Sequence, residues 1–233
     1  MKKLILSMML CALVITANAG LVAVTVTAND EAHTFYGRTV ASPDGSWECL
    51  LVAPAQEYVF SDGSAVTDLI LRMVDDPEVG IEFGVRANSS ATTFSILSEV
   101  VVFAPMVNPT AYASAGVTLT DRTPTAGATI TGLFAGGKTH QARYNGSSVF
   151  ANLVSGFSIG SGSQTNSEEY GNAFSMITIN DTLTSIESEF KFTLSGKDSA
   201  SGTSNFVVVP EPSSIIALVG GLGSLLAFRR RRA

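Results

Sequence analysis

The amino-acid sequence predicts an all-β domain, an antiparallel β-sandwich of jelly-roll type. Three observations predict it. First, apolar and polar residues alternate with period two in several stretches. Val79, Ile81, Phe83 and Val85 alternate with Gly80, Glu82, Gly84 and Arg86; Ala113, Ala115, Val117 and Leu119 alternate with Ser114, Gly116, Thr118 and Thr120. Such alternation gives a strand one inward and one wet face. Second, turn signals separate these stretches, the strongest being Asn145-Gly146, whose residue types suit a tight hairpin. Third, no stretch between the chain ends carries a sustained, capped 3.6-residue apolar stripe, so sheets have to cover each other.

In chain order, Val22, Val24 and Val26 predict a first strand. Trp47, Cys49 and Leu51 share a parity on the next. Further strands are expected at 68–74, 79–85, 92–103, 113–119, 129–134, 138–144, 148–154 and 174–179. Ile186, Phe190, Phe192 and Leu194 define another, with Glu187, Glu189 and Lys191 on its other face, and residues 205–209 a last one. Gly136-Gly137 and Ser195-Gly196-Lys197-Asp198 read as turns. Residues 160–171, GSGSQTNSEEYG, read as the longest exposed loop. No internal repeat of constant length is present, which argues against a propeller or solenoid.

Both ends lie outside this pattern. Lys2 and Lys3 precede an apolar run from Leu4 to Ile15, and Ala17-Asn18-Ala19 follows it. A short positive region, an apolar run too short to span a bilayer and small residues at the −3 and −1 positions are the parts of a secretory signal peptide. Cleavage is expected after Ala19, giving a leader over 1–19; Val26-Thr27-Ala28 is the second choice. At the other end Pro210-Glu211-Pro212 is stiff and extended, because each proline fixes its own φ and pushes its predecessor out of the helical region. Ile215 to Phe228 is uncharged and mostly apolar. As a helix it would be about 21 Å long, against a hydrocarbon core of about 30 Å. Arg229, Arg230, Arg231 and Arg232 follow, a block that stays cytoplasmic under the positive-inside rule.

These three parts in order, over residues 210–233, resemble the PEP-CTERM protein-sorting signal, a signature also known as an ice-binding-protein C-terminal domain. The resemblance implies that an exosortase of a Gram-negative inner membrane reads and cuts the tail near Pro210-Glu211-Pro212. It also implies that signal peptidase removes the leader and that the mature protein leaves a transient membrane anchor for the cell surface or extracellular matrix. Residues 190–214 are similar to the last strands of ectodomains that carry this tail. That likeness points to relatives of unknown activity and brings no catalytic residue with it.

The remaining domain, 20–209, is strongly acidic. The chain has 14 Lys+Arg and 20 Asp+Glu in 233 residues, a net charge of -6. Six of the basic residues but only one of the acidic ones lie in the two ends, leaving the domain at about -11. A negative field repels phosphates, which excludes nucleic acid as a partner. With Cys11 in the leader, Cys49 is the only remaining cysteine, so core burial alone has to hold the domain together. Cys49, among Trp47, Leu50, Leu51 and Val52, reads as a small buried hydrophobe.

Few motifs carry chemistry. Gly156-Phe157-Ser158-Ile159-Gly160 matches a nucleophile-elbow pattern, but no helix-forming sequence and no later His follow it. His33 and His140 show no metal-ligand spacing and read as surface or strand histidines. Asp75-Asp76-Pro77-Glu78 and Glu168-Glu169 offer hard oxygen ligands, so Ca²⁺ is the one cofactor left open, although neither spot fits a calcium loop. No metal ligand set and no catalytic residue are otherwise assigned. Trp47, near Tyr36 and Tyr58, is the one glycan-stacking candidate, weighed against a place in the core. The Thr-x-Thr pairs have irregular spacing, and threonine suits strands in general. Asn88, Asn145 and Asn180 head N-glycosylation patterns and read as turn residues.

The expectation is therefore an exported, non-enzymatic surface or matrix protein associated with exopolysaccharide. A carbohydrate-binding module is the alternative, and a secreted hydrolase the third reading.

Overall fold

The computed structural model describes residues 21–41, 47–123 and 126–210. The predicted leader with Ala17 and Ala19, and the sorting residues Glu211, Pro212 and Arg229 to Arg232, lie outside the described residues. The described part is all-β and antiparallel, as predicted. Its strands are β1 (Leu21–Ala28), β2 (Glu31–Ala41), β3 (Trp47–Ala53), β4 (Tyr58–Val59), β5 (Ala65–Val74), β6 (Glu78–Arg86), β7 (Thr92–Ser98), β8 (Val101–Val107), β9 (Thr110–Thr120), β10 (Ala128–Gly132), β11 (Lys138–Tyr144), β12 (Ser148–Ser155), β13 (Phe157–Ile159), β14 (Ser163–Tyr170), β15 (Ile177–Thr178), β16 (Thr182–Leu194) and β17 (Ser199–Val209).

These strands make one large antiparallel sheet that folds over on itself and nearly closes into a barrel. In one half the lanes run β12, β11, β16, β7, β1, β2, with β10 and β8 flanking the two ends of β16. In the other they run β14, β9, β17, β6, β5, β3. The fold-over is made by β2, whose residues up to Arg38 pair with β1 and whose last residues, Thr39, Val40 and Ala41, pair with β3. Gly37 sits at this crossing. A Cβ there would stand 2.9 Å from both Cys49 Sγ and Leu51 Cβ, so only glycine lets β2 lie this close over β3.

The alternation read from the sequence sets which side chains meet between the halves. On β9, Ala111, Ala113, Ala115, Val117 and Leu119 point inward, and on β6 Val79, Ile81, Phe83 and Val85 do. Phe83 reaches across to Phe190 and Phe192 of β16, with ring centroids 4.8 and 5.7 Å apart, and Phe206 of β17 stacks on Phe150 of β12 at 5.1 Å. Edge-to-face and offset contacts of this kind add to the burial of the rings themselves. Room for Phe83 comes from Gly202, where a Cβ would stand 2.6 Å from the Phe83 ring.

Three expectations are corrected. Residues 160–171 are not a loop: Ser163–Tyr170 is β14, a polar strand paired along its length with β9. It lies at the sheet margin with both faces largely wet, so it needs no apolar side. Cross-strand hydroxyl pairs, Thr118–Thr165 at 2.7 Å and Thr120–Ser163 at 2.8 Å, supplement its backbone ladder. The single strand expected at 92–103 is two strands. The chain breaks at Glu99, whose N–H donates to Ala23 O at 2.8 Å, and steps from beside one end of β16 to beside the other. Of the strand expected at 174–179, only Ile177–Thr178 forms a strand, with Ser175 in an isolated bridge to Asn172.

The open seam of the barrel lies between β12 and β14. Glu168 bridges it: Lys138 Nζ lies 2.7 Å from both carboxylate oxygens, and the Val154 N–H donates to Oε2 at 2.9 Å. Val154 holds φ at 59°, a costly conformation for a β-branched residue, and its carbonyl accepts from Thr139 Oγ1. Burial pushes the Glu168 carboxyl up, but Lys138 and the N–H groups of Val154 and Ser155 outweigh it and hold the carboxyl below 4.5. The contribution of the seam is therefore present above about pH 4.5 and lost as the pH falls through the lower folded value. Because the pair is partly exposed, Glu168→Gln should cost about 1 kcal/mol or less at neutral pH, read by urea denaturation. Hydrogen exchange should quicken first in β12 and β14.

Candidate functional site

One end of the barrel gathers five connections: the β1–β2 turn, the β4–β5 turn, the β6–β7 loop, the segment after β9 and the β16–β17 turn. Asp62 is their hub. Its Oδ2 accepts from Asn29 Nδ2 at 2.8 Å and Asn88 Nδ2 at 3.0 Å, and its Oδ1 from the Ser64 N–H at 2.8 Å and Ser64 Oγ at 2.5 Å. Burial raises the Asp62 carboxyl, but these four donors outweigh it and hold it below its ordinary value. Nearby, Glu31 Oε2 accepts from the hydroxyl and the N–H of Ser61, which lower its carboxyl in the same way. These acids staple turns together.

Beside Asp62 opens a cleft of about 690 Å³. Its cations come from three adjacent lanes. Arg86 is the last residue of β6 and lies opposite Ser199, which in turn faces Thr120 of β9. Two residues beyond that pair, Lys197 and Arg122 lie on the β16–β17 turn and just past β9. Asp198, itself buried, fixes them: its backbone carbonyl accepts from the Ala87 N–H at 2.9 Å and its Oδ1 from the Arg122 N–H at 3.1 Å. Arg86 forks onto Glu57 Oε1 through Nε at 3.1 Å and Nη2 at 2.5 Å. Arg122 and Lys197 are exposed, and neither makes an ion pair among the described residues.

The residues singled out from sequence fall elsewhere. Trp47 is half-buried against the core, in parity with the buried Cys49 and Leu51. Tyr36 is exposed, whereas Tyr58 stacks on His33 at 4.0 Å and meets Phe35 and Phe60 edge-on. Among the described residues no ring contact joins Trp47 to either tyrosine. Cys49 is buried, and burial followed by the charge of Glu99 pushes its thiol up, which suppresses its thiolate. Ser158 lies exposed on β13 with its hydroxyl 2.8 Å from that of Thr129.

The surface alternative for His140 is corrected. It lies on β11 but is fully buried, its Nε2 2.8 Å from Ser188 Oγ. The acidic spots stay apart: Glu78 pairs with Arg72, Glu168 with Lys138, and β9 and β17 separate β14 from β6. Among the described residues no group of three or more His, Cys, Asp or Glu side chains is arranged to hold a metal ion.

The cleft was not found from the sequence. Its cations lie on separate turns, and only the strand register brings them to one edge. The alternation on β6, β9 and β17 was visible, but it does not state which strands are neighbours. No protein-family model matches the chain, and no curated protein matches it.

Proposed function

We propose that the chain is an exported, non-enzymatic surface or matrix protein, a jelly-roll-type sandwich released from a transient membrane anchor by processing at Pro210-Glu211-Pro212. The observation that carries this reading is the ordered tail of proline-rich motif, short apolar span and four arginines. A non-catalytic role is supported by the hydroxyl of Ser158 pairing with Thr129 and by the complete burial of the His140–Ser188 pair, which keeps substrate from it.

Intact-mass and N-terminal analysis of surface material should give a chain that starts at Gly20 and lacks Arg229 to Arg232. Replacing Pro210, Glu211 and Pro212 with alanine should hold the protein in the inner membrane. A surface form that keeps its arginines would overturn the sorting reading.

The second reading, a carbohydrate-binding module, is favoured by the cleft beside Asp62. It is a concave, polar feature formed by loops at one end of a rigid sheet, the usual location for a binding site on such a scaffold.

A further inference from the structure

We propose that the cleft formed by Arg86, Arg122 and Lys197 binds a carboxylate-bearing polysaccharide. The inference deepens the matrix reading and rests on it for the source of the polymer, while the site itself stands on geometry. Of the eight basic residues between 20 and 209, Arg72, Arg86, Lys138 and Arg143 are engaged in ion pairs. Two of the remaining four, Arg122 and Lys197, line this one cleft, with Arg86 beside them. In a domain of about -11 net charge, two cations lining one cleft and making no ion pair among the described residues form a local site for an anionic group. The chain brings them together: the β17–β9 ladder ends at the Ser199–Thr120 pair, Lys197 and Arg122 each lie two residues beyond it, and the Arg122 N–H donates to Asp198 Oδ1 at 3.1 Å.

Lys197 adds a second, independent observation. Its φ is 70°, a conformation that glycine adopts without steric cost and lysine does not. The turn holds a lysine there, with its side chain exposed at the cleft.

The remaining lining selects among polyanions. Glu57 and the hydroxyls of Thr67 and Ser89 stand in the same cleft as the cations. Hydroxyls and carboxylates suit a ligand rich in hydroxyl donors, and the cations take its carboxylates as charge-assisted hydrogen bonds. A uronate polymer carries both groups on each sugar. A phosphodiester chain supplies few hydroxyls, packs more negative charge and meets the acidic surface around the cleft.

The test is equilibrium binding of the full-length chain to polygalacturonate, to its methyl-esterified form and to single-stranded DNA. Residues 229–232 are replaced by glutamine throughout, so that terminal charge does not capture polyanions. We expect binding to polygalacturonate, weakening with salt, and none to the methyl ester. Arg122→Gln combined with Lys197→Gly should weaken it roughly tenfold to a hundredfold. Lys191→Gln, an exposed cation on β16 outside the cleft, should leave it unchanged. Because glycine suits the backbone at 197, the variant should melt no lower than the parent, which separates lost binding from lost folding. No binding to polygalacturonate, equal binding of the methyl ester or DNA, or a double variant with parental affinity would each overturn the proposal. The measurement does not involve tail processing, so surface material that keeps its arginines would sink the sorting reading and leave a positive binding result standing.

Discussion

Acidifying the protein from pH 7.5 to 5 should lower its unfolding free energy by about 2 kcal/mol through His140 alone. The ring is fully buried among apolar side chains, with the Phe190 ring 4.7 Å away. Burial pushes its pKa from 6.5 down to about 3. Its Nε2 is engaged by Ser188, its Nδ1 has no hydrogen-bond partner among the described residues, and no carboxylate is among the causes of the shift. The folded chain therefore keeps this histidine neutral where the unfolded chain protonates it. Since the unfolded state binds the extra proton, stability is complete above the ordinary value of 6.5. It then falls by about 1.4 kcal/mol per pH unit as the pH drops toward 3. Between pH 7.5 and 5 the carboxyls of Glu31, Asp62 and Glu168, all held below their ordinary values, stay ionised, so these three do not set the slope in this window. His140→Gln keeps a hydrogen-bonding group for Ser188 and removes the titration. Urea denaturation across this window should then show a slope in the parent that is lost in the variant. His33 is present in both proteins and serves as the internal control. A slope that survives His140→Gln would show that the buried ring is not its source.

The inward parity of His140 was available in the sequence, because it shares a face with Ala142 on β11. What could not be read was that the other half of the sheet covers that face. The same division runs through the whole chain. Strands β5, β6, β9 and β16 were legible because one wet face and one dry face leave an imprint of period two. Strand β14 left none, since its backbone pairs while both its faces remain in water. Strand β2 was missed for a different reason. It changes partners at Thr39, so its inward residue Phe35 and its crossing residue Gly37 do not continue one pattern. The cleft was illegible because Arg86, Arg122 and Lys197 are related by register, which depends on pairings distant along the chain. The sorting tail was the opposite case, a contiguous string whose three parts each have a local physical signature.

Arg143→Ala should be the most damaging of these changes, at about 3–5 kcal/mol. Glu187 and Glu189 lie two apart on β16, on the same side of the strand and largely buried. Arg143 on β11 stands between them, its Nε 3.1 Å from Glu187 Oε1 and its Nη2 3.1 Å from Glu189 Oε2. Ser95 Oγ donates to the remaining oxygen of Glu189 at 2.8 Å. The irregular register between Ala142 and Arg143 opposite β12 accompanies this placement. One guanidinium thus offsets two carboxylates in a poorly hydrated place, and truncating it leaves both charges buried beside each other. Lysine at 143 should recover only part of the loss, because a single ammonium lacks the planar fork that reaches two partners at once. The decisive variant adds Glu187→Gln and Glu189→Gln to Arg143→Ala. If the cost comes from uncompensated charge, neutralising both carboxylates should return most of the lost stability in thermal and urea unfolding. If it came from the lost packing of the arginine stem, the triple variant would be as unstable as the single one. A cost below about 1 kcal/mol for Arg143→Ala would mean that water reaches the carboxylates and that β16 is less covered on this face than its burial indicates.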